Sequence, residues 1–193
     1  MSQRSEPAVT RGFLGLDRRG WPGTIAVAAV IAAVAIGLPL LNSLVSADRT
    51  VAPGEVIDVG RGVSFAAADG WSIDAEHTDA ARDTVLIHQG ALALMVEARA
   101  SDRSLPDEYD RLAEEIRSSA GVQLLNGATP FTTDGGLTGI GGSYSSPESE
   151  GRFAVLQTGD TAVRLLAKGP PDAMARGLGD VRRMVQALRI DRP

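Results

Sequence analysis

No cysteine occurs in the 193-residue chain, which excludes disulfides, thiolate-held zinc, thiol catalysis and attachment through a lipid-modified cysteine. Lysine is almost missing too: Lys168 is the only one among 19 basic residues, and with the abundant Ala and Gly this reads as the bias of a GC-rich genome rather than of function. Histidine occurs twice, as His77 and His88, and aromatic residues make up 4% of the chain. The formal net charge is −5. An acidic chain with no basic stripe and no interleaved aromatics is a poor partner for a phosphate backbone, so nucleic acid is excluded as a ligand.

Charge itself is missing from one long stretch. Between Arg19 and Asp48 there is no Asp, Glu, Lys, Arg or His, and Thr24 to Val45 reads TIAVAAVIAAVAIGLPLLNSLV. At about 1.5 Å per helical residue, those positions extend roughly 33 Å, enough to cross a hydrocarbon core of about 30 Å with modest tilt. A transmembrane helix is therefore expected over 24–45. Arg4, Arg11, Arg18 and Arg19 precede it, whereas Arg49 and Arg61 after it are thinly spread among Asp48, Glu55 and Asp58. The positive-inside rule places the short tail in the cytoplasm and the remainder outside. Beyond the span there are 15 basic and 22 acidic residues, so the exported part carries −7. Trp21 suits the inner interfacial position.

A cleaved signal peptide is the competing reading, because Val45-Ser46-Ala47 has the small residues that a signal peptidase accepts. The apolar core is longer than the usual roughly 7 to 15 residues, and the leading segment is long, so an uncleaved anchor is preferred. The expected organisation is a cytoplasmic tail over 1–23, a transmembrane helix over 24–45, a linker over 46–55 and one extracytoplasmic domain over 56–193. Within the span, Ala29, Ala33 and Gly37 are four apart and share a helical face on which a second membrane helix can pack closely. Pro39 can kink the outer half. The span holds no charge, which argues against an ion path or proton relay.

The exported part is long enough for one domain with its own core. Pro53-Gly54 is a turn signal, followed by strand patterns at 56–59 and 63–67 around Gly60-Arg61-Gly62, and Asp69-Gly70 turns into Trp71-Ser72-Ile73. Residues 84–89 and 91–98 flank Gly90 as a hairpin, with Leu92, Leu94 and Val96 in the period of a half-buried strand. The period changes over 104–120: Leu105, Tyr109, Leu112 and Ile116 form one stripe, Ser104 with Asp107 offers a cap, and Gly121 a stop. Strands are expected again at 122–125, 137–144, 152–157 and 161–168, with Pro147 to Gly151 as an exposed loop and Thr158-Gly159-Asp160 as a turn. A second helix over 171–189 aligns Met174, Leu178, Val181, Val185 and Leu188 despite Gly177 and Gly179. Hairpins interrupted by one helix and closed by another indicate the α+β class: a mainly antiparallel β-sheet flanked by two principal helices, preceded by the transmembrane helix.

This order resembles the PsbP-like domain, which is also that of LpqN-type envelope proteins of actinobacteria. The residues that carry the resemblance are Asp69-Gly70-Trp71 closing a strand pair, the hairpin, helix and strand after it, the turn Asp134-Gly135-Gly136, two further hairpin strands, and a last helix ending Met184-Val185-Gln186-Ala187-Leu188-Arg189. It covers roughly residues 55 to 190 and implies the fold more than a function. The family has no shared catalytic set, so the resemblance implies neither enzyme activity nor a cofactor. Related anchored domains accompany envelope machinery, including mycolate-lipid export and type VII secretion, and some members leave a cleft between sheet and helix. LpqN-type proteins are lipoproteins, a departure here, since no cysteine is available.

Chemical candidates in the sequence are few. His77 lies among Asp74, Glu76, Asp79 and Asp83, but the spacing fits neither a zinc pattern nor a calcium loop, so a solvated acidic loop is expected and no metal. His88 is a strand histidine that can act as a base only if a nucleophile reaches it. Gly141-Gly142-Ser143-Tyr144-Ser145 misses the nucleophile-elbow pattern at its last position and lies in a strand. Glycines 135, 136, 139, 141 and 142 make no nucleotide-binding fingerprint; they permit a turn and a bent strand, and leave open the close approach of a ligand. Leu105, Tyr109, Leu112 and Ile116 are read as core. The expectation is a non-enzymatic, single-pass protein of the cell membrane, its partners the lipid bilayer and a larger membrane-protein complex for transport or secretion. The alternative is a domain that binds lipid or another small apolar ligand.

Overall fold

The computed structural model describes residues 48–191. The predicted tail and span, with Ala29, Ala33 and Gly37, lie outside the described residues. Among the described residues no helix is long and apolar enough to cross a membrane.

Period-two alternation builds the central sheet. Strands β5 (Thr84–Gln89) and β6 (Leu92–Ala100) form the expected hairpin, turning through Gly90 at φ +57. β9 (Thr138–Ser145), β10 (Glu150–Thr158) and β11 (Thr161–Gly169) form a meander whose last strand pairs with β6. Short strands complete the edges: β1 (Arg49–Thr50) and β4 (Ser72–Ile73) beyond β5, and β7 (Gln123–Leu124) and β8 (Thr129–Thr132) along β9. All pairings are antiparallel, in the order β1-β4-β5-β6-β11-β10-β9-β7 with β8 also on β9. A second, three-stranded sheet comprises β2 (Val56–Gly60), β3 (Val63–Ala66) and β12 (Arg189–Ile190), with β3 central.

Both faces of the central sheet are covered. Helix α1 (Leu105–Arg117) lays Tyr109, Leu112 and Ile116 on Tyr144, Phe153 and Val155. Ser104 Oγ accepts from Asp107 N at 3.3 Å, so the expected cap is present, and the helix ends at Ser118, before Gly121. On the other face, helix α2 (Pro171–Gln186) and the small sheet enclose the main core, where Leu94, Val96, Leu156 and Val163 meet Met174, Val181, Met184, Val63 and Phe65. The result is the α+β arrangement read from the sequence.

The departures have local causes. The stretch expected to be a linker is, in its described part, already attached to the domain: β1 pairs with β4, Val51 is buried and its N–H donates to the Trp71 carbonyl at 2.9 Å. Two residues of strand are too few to show a period. β8 was not expected because Pro130 interrupts it, and an edge strand is where a sheet tolerates proline. The final helix stops at Gln186 rather than 189, since Arg189 and Ile190 pair with Ser64 and Val63.

Candidate functional site

Alternation along β9 and β10 sends Gly139, Gly141 and Ser143, with Arg152 and Ala154, to the face shared with α2, and Tyr144 and Phe153 to the face under α1. Three of the α2 stripe residues, Leu178, Val181 and Val185, face them across a gap. A cleft of about 350 Å³ lies between the helix and the β8–β10 end of the sheet. Phe131 of β8 forms its inner wall, lying across the bare backbone of Gly139 and Gly141. A Cβ at Gly139 would meet the Phe131 ring at 2.7 Å, so that glycine exists to admit the ring. A Cβ at Gly141 would meet its neighbours only at ordinary contact, 3.4 Å or more, and would line the cleft.

The polar groups of the cleft are few: Asn126, Thr129, Ser143, Gln186, whose buried Oε1 has no partner among the described residues, and two arginines. Ser143 is buried, accepts from Asn126 Nδ2 at 2.8 Å, and sits directly opposite Arg152 in the β9–β10 register. Arg152 and Arg182 both line the cleft and are exposed. Among the described residues neither guanidinium is ion-paired, although most other arginines are. Among the described residues no carboxylate lines the cleft. An apolar trough with a few convergent donors has the chemistry of a ligand site, and its volume falls near the lower end of the roughly 300–1,000 Å³ usual for such sites.

Under α1 the polar chemistry is structural. Glu108 and Arg164 are 1% and 5% exposed and pair at 3.1 Å; Arg164 also reaches Glu115 at 2.9 Å, and Ser101 Oγ donates to Glu108 at 2.6 Å. Burial pushes the Glu108 carboxyl up, but the hydrogen bonds from Ser101 and Arg164 and the positive charge of Arg99 outweigh it and hold it below the usual carboxylate range. This network ties α1 to β11.

The sequence candidates are dispersed. Asp74 accepts from the backbone of Glu76 and His77 and from the His77 ring at 2.9 Å; burial raises its carboxyl and these bonds bring it below its ordinary value. Asp79 caps the short 3-10 turn Ala80–Arg82, and Asp83 pairs with Arg61 at 2.8 Å. Three of the four carboxylates around His77, those of Asp74, Asp79 and Asp83, thus serve separate local bonds, and among the described residues no cluster of metal-ligating side chains forms. His88 approaches Asp48 at 3.3 Å. It lies four strand spacings from Ser143, about 19 Å at roughly 4.8 Å each, and on the opposite face, so the two do not form a nucleophile–base pair.

Sequence reasoning missed Phe131, Arg152 and Arg182. Pro130 hid the first, and a single exposed arginine on a strand or helix carries no pattern of its own. The stripe Leu105, Tyr109, Leu112 and Ile116 is core, as expected; the cleft belongs to the other helix.

The fold defines a PsbP-like domain. CyanoP, the cyanobacterial PsbP of Synechocystis sp. PCC 6803, superposes with a TM-score of 0.53 at 16% identity over 73% of this chain and 95% of that one. LpqN of Mycobacterium tuberculosis, involved in cell envelope biogenesis, is similar at a TM-score of 0.43 and 13% identity, over 73% of this chain and 87% of its own. No family model matches the sequence, and no curated protein does.

Proposed function

We propose that this protein is a membrane-anchored, non-enzymatic module of the cell envelope whose exported domain docks onto a larger transport or secretion complex. The likeness in fold to CyanoP, over nearly all of that chain, is the observation that carries the reading. The distribution of ionisable groups agrees with it: the buried pair Glu108–Arg164 fastens a helix, and His88 lies four strand spacings from Ser143. The charge-free run over 24–45 supplies the anchor, which raises the local concentration of the domain at a membrane partner.

The test is purification of the tagged full-length protein from its native membrane in mild detergent, with mass spectrometry of proteins and extracted lipids. A stoichiometric membrane partner, lost when residues 24–45 are replaced by an unrelated span or when the domain surface is altered, is the expected result. Recovery of the protein alone under conditions that preserve other envelope complexes overturns it.

The cleft beside α2 favours a second reading, in which the domain holds a lipid or small apolar ligand at the outer face of the membrane. Its apolar walls and sparse donors are the observation behind it. Stoichiometric lipid without a protein partner in the same purification selects this reading.

A further inference from the structure

We infer that the cleft between α2 and β8–β10 takes an anionic single-chain amphiphile, its acyl chain along Phe131, Gly141 and Val181 and its anionic head at Arg152 and Arg182. The inference rests on the ligand-binding reading of the cleft and adds the chemical class.

Three observations carry it. First, the apolar walls come from both sides of the gap, with the α2 stripe opposite Phe131, and the absence of a side chain at Gly141 leaves the floor open. An acyl chain removed from water there is stabilised by each methylene it buries, before the costs of ordering. Second, charge at the cleft is opposite to that of the domain. Beyond residue 45 acidic residues outnumber basic ones by 22 to 15, yet among the described residues the cleft is lined by two arginines and no carboxylate. Elsewhere the arginines of this fold are largely occupied by Asp or Glu partners, whereas among the described residues these two have no carboxylate partner and can offer their forked donors to a carboxylate or phosphate. Third, Ser143 lies opposite Arg152 and its oxygen is already used by Asn126, while its own hydroxyl hydrogen has no acceptor among the described residues. A head-group oxygen at Arg152 would be in reach of a second donor of the neutral kind. The size sets the chain number: about 350 Å³ suits one acyl chain, not two.

The experiment uses the full-length protein in phosphatidylcholine nanodiscs, photolabelled with palmitic acid carrying a diazirine in its chain, and peptide mapping of the adducts. Competitors are hexadecanoate, lysophosphatidylglycerol and hexadecanol. Labelling is expected in the segments 129–143 and 178–186, competed at least tenfold better by an anionic amphiphile than by the alcohol; the better of the two anions names the head group. The double variant Arg152→Gln/Arg182→Gln, on exposed positions, should weaken labelling roughly tenfold, the scale of two exposed charge contacts. Gly141→Val should abolish it by filling the floor. Adducts in neither segment overturn the cleft reading and this inference with it. Adducts in those segments that hexadecanol competes equally well, and that the arginine variant leaves unchanged, overturn the anionic class and leave the apolar cleft standing.

Discussion

Glu108 of α1 and Arg164 of β11 form a buried ion pair at 3.1 Å; Ser101 donates to Glu108 and Arg164 also reaches Glu115, while Arg164 Nε has no partner among the described residues. Taking two charges from water costs several kcal/mol per ion, and their attraction compensates only while both are present. Arg164→Met alone should therefore cost about 3–5 kcal/mol, because it strands a buried carboxylate, whereas Glu108→Leu with Arg164→Met should cost far less. Urea midpoints for the two singles and the double form the cycle. Additive losses would show that the two residues act independently.

The same carboxylate predicts an acid limit. Its value in the folded protein is below that in the unfolded chain, so its stabilising contribution is complete above the unfolded value, near pH 4.5, and is lost as the pH falls through the lower folded value. Asp74 shifts in the same direction, so the wild type alone does not isolate Glu108. Stability followed from pH 7 to pH 3 should fall more steeply for wild type than for Glu108→Gln. Parallel curves would assign the acid limit to other groups.

Neighbouring glycines of β9 should respond oppositely. A Cβ at Gly142 would lie 2.6 Å from both the Phe153 ring and the Tyr109 hydroxyl, whereas one at Gly141 meets only ordinary contacts. Gly142→Ala should cost about 1–3 kcal/mol through overpacking. Gly141→Ala should fall within about 1 kcal/mol of wild type, on the stabilising side, because it restricts the unfolded chain. Thermal unfolding of the two single variants checks the contrast.

Two glycines in α2 make a second contrast. Gly177 is buried, and its Cβ would lie 2.2 Å from a Leu92 methyl, which fixes how close the helix can come to β6. Gly179 is exposed, with nothing nearer than the Arg183 guanidinium at 3.9 Å. Gly179→Ala should stabilise by about 0.5–1 kcal/mol through helix propensity, and Gly177→Ala should destabilise. A loss of stability in Gly179→Ala would mean that α2 needs that glycine for a contact outside the described residues.

How much was legible in advance divides along a physical line. Alternation over 84–98, the stripe from Leu105 to Ile116 and the cap at Ser104 are local patterns, each set by the period of one element against one buried face, so the sequence alone determined the longer strands, both helices and the α+β class. The charge-free run over 24–45 carries the expectation of a membrane span through hydropathy alone, and it lies outside the described residues. The two-residue strands β1 and β12 and the proline-interrupted β8 were illegible because no period fits into them. The cleft required more. Phe131, Gly141, Arg152 and Arg182 come from four elements, and only antiparallel registry and the packing of α2 on the main core bring them to one place. Tertiary structure also decided which buried charges are partners, since Glu108 and Arg164 are 56 positions apart and nothing local to either announces the other.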